Sequence, residues 1–187
     1  MARSTLSSLL STLRGLVNDG GTVVFTDDAL QRHLDNHRYD IRHEPLTPIP
    51  TWIGGGSVSY YEYQSRYQEY ETTSAGTAIF VVEDGIGGNV GTASWASVDY
   101  QLGIINFTTD YQGTALYLSG RSYDVYGAAA DVLDDWAQKV ALEFDFSSDQ
   151  QSFTRSQKQA MLKAAAEGYR RKAKSRTAKV KRGDIAG

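Results

Sequence analysis

Apolar residues recur at helical spacing most clearly in the segment from Arg121 to Asp145. The apolar members of this stripe are Val125, Ala129, Val132, Leu133, Trp136, Val140 and Phe144, with aspartates and other polar residues between them. Such a pattern predicts one long amphipathic helix, against whose stripe the rest of the chain packs. Gly127 and the three alanines that follow it keep the first turns thin. We therefore expect a partner helix to approach closely at this point.

Three shorter segments also carry a helical pattern. Leucines share one face from Ser4 to Val17, and a second narrow stripe follows the cap residues Thr26 and Asp27 and extends to about Tyr39. Thr154 with Gln157 three residues later is a capping-box pattern that predicts a fourth helix. Its apolar side is formed by Met161, Leu162, Ala165 and Tyr169.

The middle of the chain has a different period. All three prolines, Pro45, Pro48 and Pro50, fall within six residues and are followed by a Gly-Gly-Gly run at 54–56. Because proline fixes an extended path and glycine releases it, this segment indicates a boundary. Beyond it, residues 57–120 contain five short β-branched or aromatic stretches, at 60–67, 77–82, 95–98, 104–108 and 115–118. Such stretches are typical of strands in a small sheet or barrel.

These patterns predict an α+β protein: a four-helix bundle with a small antiparallel β-module inserted between helices two and three, followed by a basic C-terminal arm. The expected division places the first part of the helical body at residues 1–50 and the β-module at 51–121. The second part of the helical body then covers residues 122–169, and the arm covers 170–187.

Composition narrows the class of protein. The chain has 187 residues, of which 41% are hydrophobic and 22% are charged, as expected for one folding unit without a signature of disorder. It contains no cysteine, which excludes disulfides and thiol chemistry and fits synthesis in a reducing cytoplasm. No apolar run is long enough to cross a membrane, and no export signal is recognised.

Charge is divided unevenly along the chain. Residues 1–153 hold 8 Lys or Arg against 20 Asp or Glu, a balance of −12, whereas residues 154–187 hold 11 against 2, a balance of +9. The cations of the C-terminal arm are Arg170, Arg171, Lys172, Lys174, Arg176, Lys179, Lys181 and Arg182. Such an arm can neutralise phosphates or dock into an acidic groove of another protein. The acidic body argues against a general DNA-binding protein but suits a channel through which DNA slides.

Candidate chemistry is weak throughout the sequence. His33 and His37 have the spacing of a zinc-protease helix, but Leu34 stands where the general base would be, and His43 and Glu44 are poor third ligands. These histidines are better interpreted as polar positions on a packed helix. We expect neither an enzyme nor a cofactor, because no catalytic triad, phosphate loop or positioned carboxylate pair is recognisable.

Two other segments only partly match binding motifs. Asp145, Ser147 and Asp149 resemble the start of a calcium loop, but Gln150 and Ser156 replace its glycine and its glutamate, which favours a helix–helix turn. The glycine-rich residues 85–91 follow a predicted strand, but their glycines are out of register for a dinucleotide site and no helix follows. A β-loop is the better interpretation.

The β-module is rich in tyrosine. Its first predicted strand and the residues after it contain Tyr60, Tyr61, Tyr63, Tyr67 and Tyr70. Alternation along a strand buries about half of such residues, so packing within the sheet and an exposed interface are equally consistent with the pattern. A platform for stacking sugars or bases is a further alternative.

Several of these segments together resemble a known family. They are LSSLLSTLRGLVND and FTDDALQRHLDNHRYDIRHEPLTP near the start, SGRSYDVYGAAADVLDDWA in helix three, and DFSSDQQSFTRSQK with EGYRRKAK around helix four. They are similar to the head-to-tail adaptor, or connector, proteins of tailed bacteriophages and prophages. The likeness covers most of the helical parts and is less specific in the β-module.

The resemblance implies a structural, non-enzymatic protein of the virion neck, synthesised in the host cytoplasm. Adaptors of this family form a ring, usually of about twelve copies, beneath the portal, and a C-terminal segment engages the portal. The implied partners are the portal protein, the next neck or tail-completion protein, further copies of the chain, and phage DNA passing through without sequence-specific binding. The alternatives from other classes are a carbohydrate-binding or tail-associated receptor module using the tyrosines, and a nucleic-acid-binding protein using the arm.

Overall fold

The computed structural model describes residues 2–20, 24–72, 79–142, 146–148, 151–153 and 155–173. Four α-helices lie in these ranges: α1 (Ser7–Val17), α2 (Asp27–Asn36), α3 (Val125–Ala141) and α4 (Arg155–Lys172). A 3₁₀ turn, Ser4–Leu6, leads into α1. Thr26 caps α2, since its side chain accepts a hydrogen bond from the backbone N–H of Ala29.

Among the described residues, eight strands connect α2 with α3, and a short pair connects α3 with α4. The eight are β1 (Arg38–Pro45), β2 (Thr47–Gly54), β3 (Ser57–Gln64), β4 (Val81–Asp84), β5 (Asn89–Val90), β6 (Trp95–Asp99), β7 (Ile104–Phe107) and β8 (Leu116–Tyr123). The short pair is β9 (Phe146–Ser148) and β10 (Gln151–Phe153).

The eight strands form two antiparallel sheets, one with the order β1-β8-β4-β5 and the other with the order β2-β3-β7-β6. Apolar side chains of both sheets meet in one buried cluster, which includes Ile41, Tyr63, Val82, Ile105 and Leu118. The two sheets therefore share a core of their own.

The structure corrects the predicted fold class. The described part of the protein is α+β with four helices, but the eight strands that connect α2 with α3 are not a small inserted module. They form two four-stranded sheets, with the helices at the ends of the chain. The strands begin at Arg38, immediately after α2, and end at Tyr123, immediately before α3, and these two residues are partners in the register of β1 and β8. The sheets thus continue directly into the helical part.

The proline cluster is one source of this error. Pro45 ends β1, and Pro48 and Pro50 lie within β2, which is the edge strand of its sheet. An edge strand tolerates proline because the missing N–H can face away from the neighbouring strand. Helix two also ends earlier than predicted, at Asn36, where the N–H of His37 donates to the carbonyl oxygen of Leu34.

The helices have a separate core that is centred on α3. Of the residues predicted to form its packing stripe, Val125, Ala129, Val132 and Val140 are buried, Trp136 is partly buried, and Phe144 lies outside the described residues. They pack with leucines of the 3₁₀ turn, α1 and α2, namely Leu6, Leu9, Leu10, Leu13, Leu30 and Leu34. The predicted start of this helix is too early, because residues up to Tyr123 belong to β8 and Asp124 caps α3.

Helix α4 packs on α3 through a narrow face. Ala166 is fully buried, and Leu162 and Tyr169 are partly buried against the helical core. The hydroxyl of Tyr169 donates a hydrogen bond of 2.9 Å to the carbonyl oxygen of Leu16 in α1. Most of the remaining helix surface is exposed, including Met161 at 73%.

Candidate assembly surfaces

The first cations of the predicted arm belong to α4. Arg170 forms an ion pair with Asp134 of α3 and lies 3.8 Å from a carboxylate oxygen of Asp131. The ammonium of Lys172 lies 5.7 Å from the ring centre of Tyr126, whereas Arg171 is exposed. Arg170 is thus held by its own chain. The remaining arm residues, Lys174, Arg176, Lys179, Lys181 and Arg182, lie outside the described residues.

The carboxylates of α3 also bind the two histidines singled out in the sequence. Nε2 of His37 lies 2.7 Å from Asp131, and Nε2 of His33 lies 3.0 Å from Asp135. Both pairs repeat at one-turn spacing, so α2 and α3 are joined by two matched contacts. No group of three or more His, Asp or Glu side chains in the part of the chain described here is placed to hold a metal ion.

A buried carboxylate, which the sequence analysis missed, joins the helical part to the sheets. Glu71 is fully buried and accepts hydrogen bonds from Thr5 (2.6 Å) and from the hydroxyl of Tyr123 (2.7 Å). Arg3 and Arg121 lie 3.3 and 3.5 Å from its carboxylate oxygens. A buried charge is tolerated when it is paired and hydrogen-bonded in this way.

The buried environment around Glu71 changes the pKa of the neighbouring Tyr123. Burial, together with the hydrogen bond to Glu71, raises the pKa of Tyr123 well above its usual value, because both favour the neutral phenol. Arg3 also donates to Asp35 of α2 at 2.5 Å, which extends the network to a second helix. Since the members of this cluster come from the N-terminal residues, from β8 and from α2, no local sequence pattern identifies it. Its position inside the molecule gives it a structural role.

The five tyrosines do not form a common surface. Tyr63 and Tyr70 are buried at 0% and 1% exposure in the core of the sheets, so for these two residues sheet packing is the alternative that fits. Tyr60 and Tyr67 are partly buried against the same core, whereas Tyr61 is 43% exposed. Strand alternation does not explain this division, because Tyr61 and Tyr63 are two residues apart in β3. Tyr61 is the accessible ring of the five.

An open cleft of about 370 Å³ lies on the sheet that contains β1, β4 and β8. Arg38, Arg42 and Arg121 line it together with Asp40. Two of these arginines have carboxylate partners, since Asp40 lies 3.0 Å from Arg38 and 3.8 Å from Arg121. The lining therefore holds three arginines against one carboxylate, which neutralises only part of their charge.

Two large exposed apolar residues, which the sequence patterns did not single out, lie near the turn between β2 and β3. Trp52 and Ile53 are 73% and 64% exposed, although residues of this size are usually at least partly buried. The feature of the sequence that could have pointed to these exposed residues is the lack of charge around them, because no Asp, Glu, Lys or Arg occurs between Glu44 and Glu62.

Comparisons with known proteins found no matching family model, no similar curated protein and no similar solved structure. Within the described ranges, no helix combines the length and the apolar character needed to cross a membrane.

Proposed function

We propose that this protein is a structural head-to-tail adaptor of a tailed phage. It forms a ring beneath the portal, joins the DNA-filled capsid to the tail and lines the DNA channel. The protein is not an enzyme in this proposal. Its place is the neck of the virion, after synthesis in the host cytoplasm.

The observation that carries the proposal is where the adaptor-like segments lie in the fold. The segments at residues 6–19, 25–48, 119–137, 145–158 and 167–174 contain α1, α2, most of α3 and the two ends of α4, and they also include β1 and the end of β8. The part with the weaker resemblance forms most of the other strands of the two sheets. A shared helical body that carries a variable β-part fits a structural family whose members differ in size.

Charge supports the same proposal. The basic end of α4 leads into the strongly basic residues 174–182, whereas the rest of the molecule is acidic. An acidic surface repels the DNA backbone, so a channel built from this chain lets DNA pass without binding it. The basic arm is then available for a carboxylate-rich surface of the portal, and the many copies in a ring add weak contacts together.

The test is assembly with the portal protein encoded by the same genome. Both proteins are purified and examined separately and as a mixture by native mass measurement and electron microscopy. We expect a ring of about twelve copies on the portal, while the isolated protein can remain monomeric. One or two copies per portal, or no association at all, would contradict the proposal.

Nucleic-acid binding by the basic arm is the alternative that keeps support, because the dense cations of residues 170–182 suit phosphates as well as carboxylates. Binding of the free protein to duplex DNA that weakens steeply with salt would favour this alternative. The carbohydrate alternative loses support, since the tyrosines that would form its platform are largely buried.

A further inference from the structure

The cleft on the sheet of β1, β4 and β8 gathers cations in a part of the chain that is otherwise acidic. Residues 1–153 hold 8 Lys or Arg, and three of these, Arg38, Arg42 and Arg121, line this one cleft. All three are arginines, whose planar guanidinium groups bind phosphate or carboxylate oxygens through paired N–H donors. The cleft is therefore a candidate anion site.

The pairing of β1 with β8 explains how these side chains come together. Arg38 and Asp40 are two residues apart in β1 and so share a face, and Arg121 of β8 is the partner of Asp40 in the register. The register shifts after Ile41, and Arg42 lies in this irregular stretch and also lines the cleft. A bulge of this kind changes the direction of a side chain and is common beside binding sites.

The arginines are oriented, but their donors are only partly used. Arg38 donates a hydrogen bond of 3.0 Å to Asp40. Arg121 lies 3.8 Å from Asp40 and 3.5 Å from the buried Glu71, and both distances exceed the roughly 2.7–3.2 Å of a strong hydrogen bond. Arg42 is exposed and has no carboxylate at ion-pair distance among the described residues. Several N–H donors therefore remain for a ligand.

The rest of the lining suits an organic ligand with one anionic group. The hydroxyl oxygen of Ser119 accepts the backbone N–H of His43 at 3.0 Å, so its own O–H can donate to a ligand. Ile79 and Val81 supply an apolar wall, and the volume of about 370 Å³ is that of a small-molecule site. Glu83 follows Val81 by two residues and pairs with His43 at 3.3 Å, which places a further carboxylate beside the cleft.

We propose that this cleft binds the phosphate group of a small phosphate monoester. Such a group carries about two negative charges at neutral pH and three strong acceptor oxygens, which suits three guanidinium groups better than a carboxylate with one charge and two oxygens. The organic part of the ligand lies against Ile79 and Val81.

The surrounding charge selects a small ligand over duplex DNA. Asp40 lies within the cleft and Glu83 beside it, and residues 1–153 carry a balance of −12, so a long polyanion is repelled. This agrees with a channel through which DNA passes without binding. The inference goes beyond the proposed function, because the cleft lies within a single copy of the chain.

A site-resolved titration separates the cleft from the basic arm, which also attracts phosphates. The full-length protein, labelled with ¹⁵N, is titrated at neutral pH with phenyl phosphate, inorganic phosphate and benzoate. We expect phenyl phosphate to shift the backbone N–H signals of residues 38–42 and 119–121 together. It should bind more tightly than inorganic phosphate, which cannot cover the apolar wall, and more tightly than benzoate, which has one charge.

Four substitutions at exposed positions give opposite expectations. Arg42→Gln should weaken binding of phenyl phosphate about tenfold, and Arg42→Lys should restore only part of the loss, because lysine keeps the charge but not the planar fork. Asp40→Asn should tighten binding a few-fold, since it removes the carboxylate that competes with the ligand. Arg32→Gln is the matched control, because Arg32 is exposed on α2 and does not line the cleft, and it should leave the affinity unchanged.

Three results would overturn the inference. The first is the absence of shifts at residues 38–42 and 119–121, including shifts confined to the arm. The second is an equal loss of affinity in Arg42→Gln and Arg32→Gln, which would show a non-specific effect of charge. The third is displacement of phenyl phosphate from these residues by a short DNA duplex, which would make the cleft a DNA contact. None of these results bears on whether the protein assembles on the portal, so the proposed function is tested separately.

Discussion

The hydroxyl of Tyr123 donates a 2.7 Å hydrogen bond to the fully buried carboxylate of Glu71. Tyr123 is the last residue of β8 and is also part of the helical core, whereas Glu71 lies in the segment after β3. Their contact therefore lies where the sheets meet the helices. Arg3 and Thr5, from the N-terminal residues, complete the environment of the carboxylate. We infer that Glu71 fixes the N-terminus and the sheets to each other.

Tyr123→Phe should lower stability by about 1–2 kcal/mol, because it removes one donor from a buried carboxylate and leaves the apolar ring in place. Glu71→Leu should cost more, about 3 kcal/mol, since Arg3 and Arg121 would lose a common partner. Urea unfolding followed by circular dichroism measures both changes. Tyr61→Phe is the matched control, because that ring is exposed, and it should be neutral. Equal losses for the two Tyr→Phe variants would contradict a special role for Tyr123.

Alkaline pH should destabilise the protein in a defined range. Burial raises the pKa of Tyr70 to about 12 from 10.0. The unfolded chain therefore loses this proton at lower pH than the folded protein does. The contribution of the neutral Tyr70 phenol to the free energy of unfolding is therefore fully present below pH 10, and it is lost as the pH rises through about 12.

Tyrosinate absorbance and circular dichroism, recorded together during an alkaline titration, test this range. We expect Tyr70 and Tyr123 to ionise together with unfolding. Tyr70→Phe should make the decline of stability between about pH 10 and 12 shallower by up to about 2 kcal/mol. An unchanged slope in that variant would show that Tyr70 does not control the transition.

Gly127 lies against the side chain of His37, and not against the backbone of a neighbouring helix. A Cβ at this position would lie 2.5 Å from Nδ1 of His37 and 2.9 Å from the carboxylate of Asp124. Gly127→Ala should therefore displace His37 from Asp131 and cost about 1–3 kcal/mol, despite the better helix propensity of alanine.

Gly15→Ala is the matched control for this substitution. Gly15 is also helical, but a Cβ there would meet no atom within 4 Å. Alanine should then stabilise the protein by about 0.5–1 kcal/mol. The opposite signs of the two changes, measured by thermal unfolding, are the expected result. A stabilising Gly127→Ala would show that the His37 contact is easily rearranged.

The local patterns of the sequence predicted much of the helical part and little of the sheet arrangement. The stripes of α1 and α3 were recognisable because 3.6-residue periodicity reports a buried face directly. Strand β1 was missed although Arg38, Asp40 and Arg42 alternate with Tyr39 and Ile41, because a helix pattern precedes this segment directly and a proline ends it. Strand pairing depends on partners that are distant in sequence, such as β8, and a single segment does not encode them.

The candidate surfaces were likewise only partly predictable from local sequence patterns. The basic arm was recognisable because its charge can be read directly from the sequence. The partners of Arg170 were not recognisable, because Asp131 and Asp134 approach it only when α4 packs on α3. Glu71 has an ordinary polar sequence environment, and only the fold shows that its carboxylate is buried. The exposure of Trp52 likewise depends on how far β7 extends along β3.

The pairing of Arg170 with α3 allows folding and docking to be tested separately. Arg170→Glu places a third carboxylate beside Asp131 and Asp134, so the end of α4 should loosen at a cost of about 1 kcal/mol. Arg171→Glu changes the same charge on an exposed neighbour that has no carboxylate at ion-pair distance among the described residues. It should leave stability within about 0.5 kcal/mol.

If the arm docks on the portal through its cations, Arg171→Glu should still weaken retention on the portal, because the loss concerns the partner and not the fold. Hydrogen exchange of residues 161–172 reports loosening of α4, and co-sedimentation with the portal at several salt concentrations reports docking. We expect Arg170→Glu to change both measurements and Arg171→Glu to change only the second. Normal retention of Arg171→Glu, together with normal retention after truncation at Ala173, would show that the arm is not the docking element and would favour its alternative role on DNA.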